Sequence, residues 1–368
     1  MNVLIAMPLG EFGGGAERML LNYLSARRTQ NSQLNISLVF LSPGSLVEEV
    51  QKLGYTAIVL SAGRVRQIHR LLYVQYRLGL LIAAWKIHRV LAWMPKACAY
   101  VTFPARMRQV PLYLWRHDIP WQLDRLDKWV FRYGRPAAVA CSSRFAEQAL
   151  QSSTVREVHS CAIHPGVERH PYNPTVVKEI RSTLLDQSGG VIVGTVTRLQ
   201  PWKRVDLFLR AAAELKQSVS EVKALIVGGE SHGLSSGHEA ELRALGYQLL
   251  GDNAIFVGEQ RDVGNWLQAM DVFVLPSEGE PFGMALVEAL MSGKPVVACG
   301  GGGPEEILSP STVGRLLPAN PSPAELARAM EDMLDPALRE DAKVVNQEEG
   351  KRFSTGAMAT KIDEWLQS

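Results

Sequence analysis

The sequence has few cysteines, and they lie far apart. Four cysteines occur among 368 residues, at positions 98, 141, 161 and 299, and none belongs to a CxxC pair. This spacing argues against a disulfide framework and a structural zinc site, and it fits a reducing compartment. The D-x-D pattern is also missing. A metal held by that arrangement is therefore not supported.

Long apolar runs are missing as well. The run Leu78–Trp85 follows Gln75 and Arg77 and is too short to cross a bilayer. The first residues, MNVLIAMPLGEFGGG, have no basic segment and soon reach a glycine cluster, so they predict a first β-strand rather than a signal peptide. We therefore expect a cytoplasmic location, with binding to the inner face of the cytoplasmic membrane as a further expectation.

Acidic residues are missing from one long stretch. Between Glu49 and Asp118 there is no Asp or Glu, but there are eleven Lys and Arg. Residues 1–163 hold 20 Lys and Arg against 9 Asp and Glu, a net charge of +11, whereas residues 164–368 hold 19 against 28, a net charge of −9. This split predicts an anionic partner for the first half.

The basic residues of 64–135 alternate with Trp, Tyr and Phe. That mixture suits a membrane interface, an anionic lipid headgroup or a phosphorylated acceptor. Single-stranded nucleic acid could use the same residues, although nucleic acid is the less favoured partner. A helix with a solvated basic face is the third interpretation.

The first half predicts a run of strand–helix units. Val3–Met7 is a strand, a glycine cluster follows, and residues 16–26 have a helical pattern, which is the opening of a doubly wound α/β domain. The cluster, which includes Gly14 and Gly15, fits neither G-x-G-x-x-G nor a P-loop. It is either a tight turn or a place where backbone approaches a ligand. Residues 64–93 are predicted to form one helix, with Arg66, Arg70 and Arg77 near one face.

His117 directly follows a predicted strand, Tyr113–Arg116. A side chain at that position would lie on the crevice rim of a parallel sheet, where such folds bind ligands. A lone histidine is also common as a purely structural residue, so both interpretations stay open.

The second half repeats the strand–helix pattern, and its loops hold most of the candidate site residues. Arg198 and Lys203 flank the turn at the C-terminal end of the predicted strand Val191–Leu199, where two cations could neutralise a diphosphate. After the predicted strand 254–257, the backbone at Gly258 could meet a nucleobase edge. The predicted strand Asp271–Leu275 leads to Glu280 and then to a helix over 283–291 that contains Glu288.

The start of that helix predicts a binding site for an anion. Free N–H groups at a helix N-terminus attract phosphate, while carboxylates beside it suit sugar hydroxyls. Together they suggest a sugar nucleotide. We therefore expect an N-terminal acceptor-side domain over 1–163, a proline-rich linker over 164–174, a nucleotide-sugar domain over 175–350, and a C-terminal helix over 351–368 that packs back on the first domain.

These segments resemble the family-4 retaining glycosyltransferases of GT-B fold. The resemblance rests on GGGAER, His117-Asp118, Arg198 with Lys203, GEQRDV, DVFVLPS and, above all, EGEPFGMALVEALMSGKPVVA, with its Glu-x7-Glu spacing. It covers nearly all of the second half and the first half loosely. Position 204 departs from the pattern, because Lys203-Arg204 stands where the family often has Lys-Gly.

The resemblance implies an α/β fold with two Rossmann-like domains whose parallel sheets face each other across a cleft. It also implies the site. The residues expected to take part in catalysis are His117, Arg198, Lys203 and Glu280. The residues expected to bind the donor are Gly14, Gly15, Arg198, Lys203, Gly258, Glu280, Pro281, Phe282, Gly283, Met284, Ala285 and Glu288. Neither a metal nor another cofactor is expected, because the two cations would stabilise the departing diphosphate.

The function implied is a retaining, metal-independent transferase of the hexosyltransferase type. It would move a sugar from a nucleotide-sugar donor, with a UDP-sugar favoured, to a membrane-associated or lipid-linked glycan in cell-envelope polysaccharide or lipopolysaccharide biosynthesis. Two alternatives remain. One is a sugar-nucleotide epimerase on a similar frame, and the other is a non-catalytic protein that binds anionic lipid or nucleic acid.

Overall fold

A computed structural model describes residues 1–30, 32–63, 67–153, 158–185, 189–230 and 237–368. The chain forms two compact units. The N-terminal unit comprises Met1–Gly166 and Thr355–Ser368, and the C-terminal unit comprises Val167–Ser354. The first boundary lies within the expected linker of 164–174, and the second lies within the expected terminal segment of 351–368.

The N-terminal unit is built on a seven-stranded sheet of order β3-β2-β1-β4-β5-β6-β7, in which every strand pairing is parallel. The strands are β1 Asn2–Met7, β2 Asn35–Phe40, β3 Thr56–Val59, β4 Arg89–Ala92, β5 Leu112–Arg116, β6 Ala138–Cys141 and β7 Ser160–Ala162. The helices of this first segment are α1 Gly15–Arg27, α2 Ser45–Lys52, α3 Ile68–Ala84, α4 Pro95–Met107, α5 Arg125–Trp129 and α6 Arg144–Ser153. Residues 3–7 of β1 are fully buried, as expected for a central strand covered on both faces.

The C-terminal unit has a six-stranded parallel sheet of order β10-β9-β8-β11-β12-β13. Its strands are β8 Val191–Val196, β9 Val222–Val227, β10 Ala254–Gly258, β11 Val272–Leu275, β12 Val296–Cys299 and β13 Gly314–Leu317. Its helices are α7 Pro174–Leu184, α8 Val205–Leu215, α9 His238–Leu250, α10 Val263–Ala269, α11 Met284–Met291, α12 Pro304–Ile307, α13 Pro323–Asp332 and α14 Pro336–Gly350. Each unit therefore has the predicted α/β architecture.

The prediction of one helix over residues 64–93 is wrong. Residues 64–66, including Arg66, lie outside the described residues, α3 ends at Ala84, and β4 forms a central strand of the sheet. Lys86 takes a left-handed backbone conformation with φ 49°, which ends the helix before the strand begins. Because residues 90–92 of β4 are a short, buried apolar run, the sequence there looks like one more turn of a buried helix.

The last helix, α15 (Thr355–Gln367), belongs to the N-terminal unit and packs against α1. Tyr23 donates a hydrogen bond from its hydroxyl to Asp363 at 2.6 Å, and Arg27 donates to the same carboxylate at 2.9 Å. The ion pair is almost completely buried. Charge-assisted hydrogen bonds of this kind fix the orientation of α15 on α1.

None of the helices in the described part of the chain is both long enough and apolar enough to cross a membrane.

Candidate active site

The C-terminal unit has a topological switch point between β8 and β11. From β8 the strand order continues to β9 on one side, and β11 lies on the other. In parallel α/β sheets, ligands bind at the carboxyl ends of the strands beside such a point. Arg198 and Lys203 follow β8, and Glu280 follows β11, so the fold places these three predicted residues at one edge of the sheet.

Lys203 and Glu280 are in direct contact. Nζ of Lys203 donates a hydrogen bond to Oε2 of Glu280 at 2.6 Å, and both side chains are about nine-tenths buried. The ammonium also lies 4.0 Å from the ring centre of Trp202, where a cation–π interaction adds to its fixation. A buried carboxylate with one cationic partner keeps acceptor capacity for other donors, such as sugar hydroxyls.

Arg204 explains the departure from the family pattern at this turn. Its backbone lies in the left-handed region, with φ 50°, a conformation that glycine takes at little cost. Its guanidinium lies 3.4 Å from Asp206 and 3.6 Å from Glu278, and it donates a hydrogen bond to Asn320 at 3.2 Å. The arginine therefore adopts the backbone shape that glycine would supply and adds polar contacts of its own.

The N-terminus of α11 has no side-chain cap. Its N-cap residue, Gly283, has φ 110° and offers no side-chain acceptor to the first amides of the helix. The first residues of α11 are the predicted donor-binding residues Met284 and Ala285. Pro281 and Phe282 lead into the turn, and Phe282 is held by an edge-on contact with Phe353, at 5.4 Å between ring centres. An uncapped helix start on a fixed turn can bind an anion.

The four-glycine loop after β12 supports the Glu280 segment. Gly303 donates a backbone hydrogen bond to the carbonyl oxygen of Glu280 at 2.8 Å. A Cβ atom on Gly302 would lie 2.2 Å from that oxygen, and one on Gly303 would lie 2.3 Å from Cα of Phe282. Glycine is therefore required at both positions by close backbone packing.

Glu288 contacts a residue outside the predicted site. Its Oε1 lies 3.3 Å from Nε2 of His170. His170 lies in the segment expected to be the linker, so its only signal in the sequence was its place among the prolines there. A second residue outside the predicted site is Ser277, whose buried hydroxyl has no hydrogen-bond partner among the described residues.

The remaining predicted donor contacts in this unit lie further apart. Gly258 ends β10, two strands away from β8, with φ 71°, and its carbonyl oxygen accepts a hydrogen bond from Gly228 at 2.8 Å. Arg198 lies between the end of β8 and the short 3-10 turn Pro201–Lys203. The structure thus brings Lys203 and Glu280 into contact, while Gly258 lies at the edge strand of the sheet, away from the switch point.

The N-terminal unit has its own switch point, between β1 and β4. Gly14 is the N-cap residue of α1, with an extended backbone, and Gly15 is the first residue of that helix. Trp93, which directly follows β4, is fully buried and donates a hydrogen bond from Nε1 to the carbonyl oxygen of Ala16 at 2.9 Å. Trp93 thus fixes the start of α1 to the end of β4.

His117 is attached to the same tryptophan. Its Nε2 lies 2.9 Å from the carbonyl oxygen of Trp93, and its ring stacks on Trp115 with 6.0 Å between ring centres. Burial lowers the pKa of His117 to about 4, against the opposing effects of the Trp93 carbonyl and Asp118. The imidazole is therefore neutral near pH 7. Because a carbonyl only accepts, Nε2 carries the proton and Nδ1 is left as an acceptor.

Arg116 holds the loop that carries His117. Its side chain is 2% exposed and donates hydrogen bonds to Asp127 at 2.5 Å and to Asp118 at 2.8 Å. Asp127 also forms a reciprocal capping box with Asp124 at the start of α5. The buried guanidinium thus ties both sides of this loop to β5.

No group of three His, Cys, Asp or Glu side chains within the described ranges could hold a metal ion. The expectation of a metal-independent reaction stays a prediction.

Residues 176–349 match the model of a family described as glycosyl transferases group 1. The lipopolysaccharide core biosynthesis mannosyltransferase LpcC of Rhizobium leguminosarum bv. viciae is 30% identical over 215 residues, which are 57% of this chain and 58% of that protein. The D-inositol 3-phosphate glycosyltransferase 2 of Catenulispora acidiphila is 31% identical over 180 residues, 47% of this chain and 42% of that protein. The chain therefore spans less than two thirds of each relative.

Among solved structures, the chain resembles Alr3699/HepE of Anabaena in complex with UDP and glucose. The TM-score is 0.82 at 22% identity, with all of both chains covered. At this identity the likeness speaks to the fold alone, and it confirms the predicted GT-B class with two Rossmann-like domains. The predicted family resemblance is confirmed at the level of the group 1 glycosyl transferases.

Proposed function

We propose that the chain is a retaining glycosyltransferase, because residues 176–349 match the model of the glycosyl transferases group 1 family. It moves a sugar from a nucleotide-sugar donor, with a UDP-sugar favoured, to a membrane-associated or lipid-linked glycan acceptor. The relatives support this choice, since one is named for lipopolysaccharide core biosynthesis and one similar structure holds UDP and glucose. The acceptor belongs to cell-envelope polysaccharide or lipopolysaccharide biosynthesis.

The observation that carries the proposal is the buried contact between Lys203 and Glu280 beside the uncapped start of α11. Lys203 and Arg198 bind the donor diphosphate and stabilise the negative charge that grows on it as the sugar departs. The N–H groups from Phe282 to Ala285 bind donor oxygens. Glu280 accepts hydrogen bonds from the sugar hydroxyls, and its contact with Lys203 holds the carboxylate in place for them.

The ribose is held by Glu288, whose contact with His170 fixes one of its two oxygens. In the N-terminal unit, Gly14 and Gly15 let backbone approach the donor phosphate or the acceptor, and neutral His117 contacts the donor sugar near the reacting carbon. A neutral imidazole adds no positive charge beside an oxocarbenium-like transition state, so its low pKa suits this role.

In this proposal the acceptor attacks from the face that the diphosphate leaves, and the leaving phosphate oxygen takes the acceptor proton. The anomeric configuration is retained without a covalent intermediate. Glu280 is therefore assigned to binding rather than to nucleophilic attack, although a carboxylate beside the sugar could serve as a nucleophile in other enzymes.

The acceptor side of the proposal rests on an exposed apolar face in the N-terminal unit. On α3, Ile68, Leu72 and Tyr76 recur every four residues and are each more than half exposed. On α4, which packs against α3, Phe103 and Met107 are also more than half exposed. Helix faces of this kind, in a stretch with eleven Lys and Arg and no acid, suit the surface of an anionic membrane.

The donor is tested by a thermal-shift screen against nucleoside diphosphates and their sugars, followed by assays with the sugar nucleotide that stabilises the protein most. Transfer to an added acceptor supports the proposal. Conversion of the sugar nucleotide without an acceptor would instead identify an epimerase. Binding of anionic vesicles with no stabilisation by any nucleotide would identify a non-catalytic lipid-binding protein.

Membrane binding is tested by co-sedimentation with vesicles of anionic and neutral lipid. We expect binding to anionic vesicles that weakens as salt rises. Tyr76→Ser should weaken it, while Tyr247→Ser, which removes an equally exposed helix tyrosine from the other unit, should not. Equal binding to neutral vesicles, or no binding at low salt, would contradict this part of the proposal.

A further inference from the structure

A polar cavity lies in the C-terminal unit, away from the proposed donor site. It has a volume of about 670 Å³, and its lining includes Asp271, just before β11, and Lys294, just before β12. These residues mark the amino ends of the strands, whereas Lys203 and Glu280 follow the carboxyl ends. The cavity is therefore at the opposite edge of the same sheet, and it falls within the size range of small-molecule sites.

Positive charge predominates around this cavity. Five cationic side chains line it, against the two carboxylates of Asp271 and Glu340. The cations are Arg169, Arg181, Lys294, Arg339 and Lys343. A surplus of three positive charges around one concave surface attracts an anion.

Asp271 does not accept hydrogen bonds from all of the donor groups on the surrounding cations. Asp271 is 9% exposed and accepts hydrogen bonds from Arg181 at 3.1 Å, from Arg339 at 2.8 Å and from the backbone of Ile192 at 2.9 Å. Within the described ranges, however, Nε of Arg339 is buried without a hydrogen-bond acceptor. A buried donor without an acceptor is costly, and it leaves the charge of Arg339 incompletely compensated by the protein.

Lys294 is also surrounded by more positive than negative side chains. Its Nζ donates hydrogen bonds to the carbonyl oxygens of Gln268 at 2.8 Å and Met270 at 2.9 Å. Burial, together with the charges of the neighbouring Arg181, Lys343 and Arg339, lowers the pKa of Lys294 to about 8 against the opposing charge of Asp271. An anion in the cavity would relieve this repulsion.

We propose that this cavity binds a small dianion, and that its ligand is a phosphate monoester of about the size of a phosphorylated monosaccharide. The guanidinium groups and the lysines supply several charge-assisted hydrogen bonds to the phosphate oxygens, and the remaining volume accommodates the organic part. The site is independent of the proposed transfer reaction, because it is formed by different residues at the other edge of the sheet.

The test is isothermal titration calorimetry of the whole chain with glucose 6-phosphate, with inorganic phosphate and glucose as separate probes. We expect glucose 6-phosphate to bind, inorganic phosphate to bind more weakly and glucose not to bind. Arg339→Gln should weaken glucose 6-phosphate about tenfold, as expected for the loss of a hydrogen bond to a charged group. Arg198→Ala, at the other edge of the sheet, should leave this affinity unchanged.

Lys343 and Lys351 provide a matched pair of variants. Each is more than half exposed and contacts a glutamate three residues earlier at 2.5 Å, but only Lys343 lines the cavity. Lys343→Gln should weaken glucose 6-phosphate several-fold, whereas Lys351→Gln should not. Neither substitution touches Asp271, so this comparison holds even if Arg339→Gln fails to fold.

Three results would overturn the proposal. The first is no binding of glucose 6-phosphate at millimolar concentration. The second is an equal affinity in the wild type, Arg339→Gln and Lys343→Gln. The third is binding that Arg198→Ala abolishes, which would place the ligand in the donor site instead.

Discussion

Lys203 and Glu280 come from loops 77 residues apart in the sequence, yet Nζ of the lysine lies 2.6 Å from Oε2 of the glutamate. Each side chain is about nine-tenths buried, so water screens the pair only weakly. The pair joins the loop after β8 to the loop after β11, and it holds both charges in place before any donor binds.

The first prediction concerns the stability that this pair contributes. Lys203→Ala leaves a buried carboxylate without its cation, and we expect the free energy of unfolding to fall by about 3 kcal/mol. Adding Glu280→Ala should recover part of that loss, because the unpaired charge is then removed. Denaturant titration of both single variants and the double variant measures the coupling. Strictly additive effects would show that the two side chains do not stabilise each other.

The second prediction concerns the left-handed backbone of Arg204. Arg204→Gly and Arg204→Ala both remove the guanidinium and its contacts, but only alanine keeps a Cβ atom at φ 50°. We expect the alanine variant to be less stable than the glycine variant by about 1 kcal/mol, as measured by thermal unfolding. Equal stabilities would mean that the turn relaxes out of the left-handed region once the arginine is removed.

The third prediction concerns the close packing of the glycine loop on the Glu280 segment. Gly302→Ala would place a Cβ atom 2.2 Å from the carbonyl oxygen of Glu280, so the segment must move. We expect a loss of stability of about 2 kcal/mol together with weaker donor binding. Gly229→Ala is the control, because its nearest contact would be an ordinary 3.8 Å. A Gly302 variant as stable as this control would contradict the packing described.

The fourth prediction concerns the pH dependence that His117 causes. Burial lowers its pKa to about 4 from the ordinary value of 6.5. Between these pH values the unfolded chain binds a proton at this residue and the folded chain does not, so acidification destabilises the fold. Above pH 6.5 the residue has no such effect.

His117→Gln keeps an N–H donor for the Trp93 carbonyl but does not titrate. We therefore expect the stability of the wild type, relative to this variant, to decline as pH falls from 6.5 to about 4. Denaturant unfolding at a series of pH values measures the difference. Parallel curves for the two proteins would show that His117 is protonated in the folded chain as readily as in the unfolded one.

Sequence reasoning predicted the C-terminal unit well, because its chemistry lies in continuous segments. Residues 276–306 contain a strand end, a polar loop, a helix start and a glycine run. The local structure of each can be predicted from its residue types. The contact between Lys203 and Glu280 could be expected because both follow neighbouring strands at one sheet edge. The left-handed backbone conformation of Arg204 could not be expected from the sequence, since arginine rarely adopts it.

The N-terminal unit was predicted less well. The three apolar residues of β4, Val90 to Ala92, do not reveal whether they form another helical turn or a central strand, so β4 was assigned to the helix. Trp93 follows that strand, and its contacts with Ala16 and His117 were therefore missed. His170 was missed for a different reason, because its contact with Glu288 depends on how a proline-rich segment folds onto the C-terminal unit.

Lys203 is proposed to bind the diphosphate of a nucleotide donor, and calorimetric titration with UDP measures that contact. We expect wild-type protein to bind UDP and Lys203→Ala to bind it at least about tenfold more weakly, since a hydrogen bond to a charged group is lost. Lys216→Ala, which removes an exposed lysine at the far end of α8, should bind as the wild type does. UDP affinity that is the same in wild type and Lys203→Ala would show that Lys203 does not bind the diphosphate.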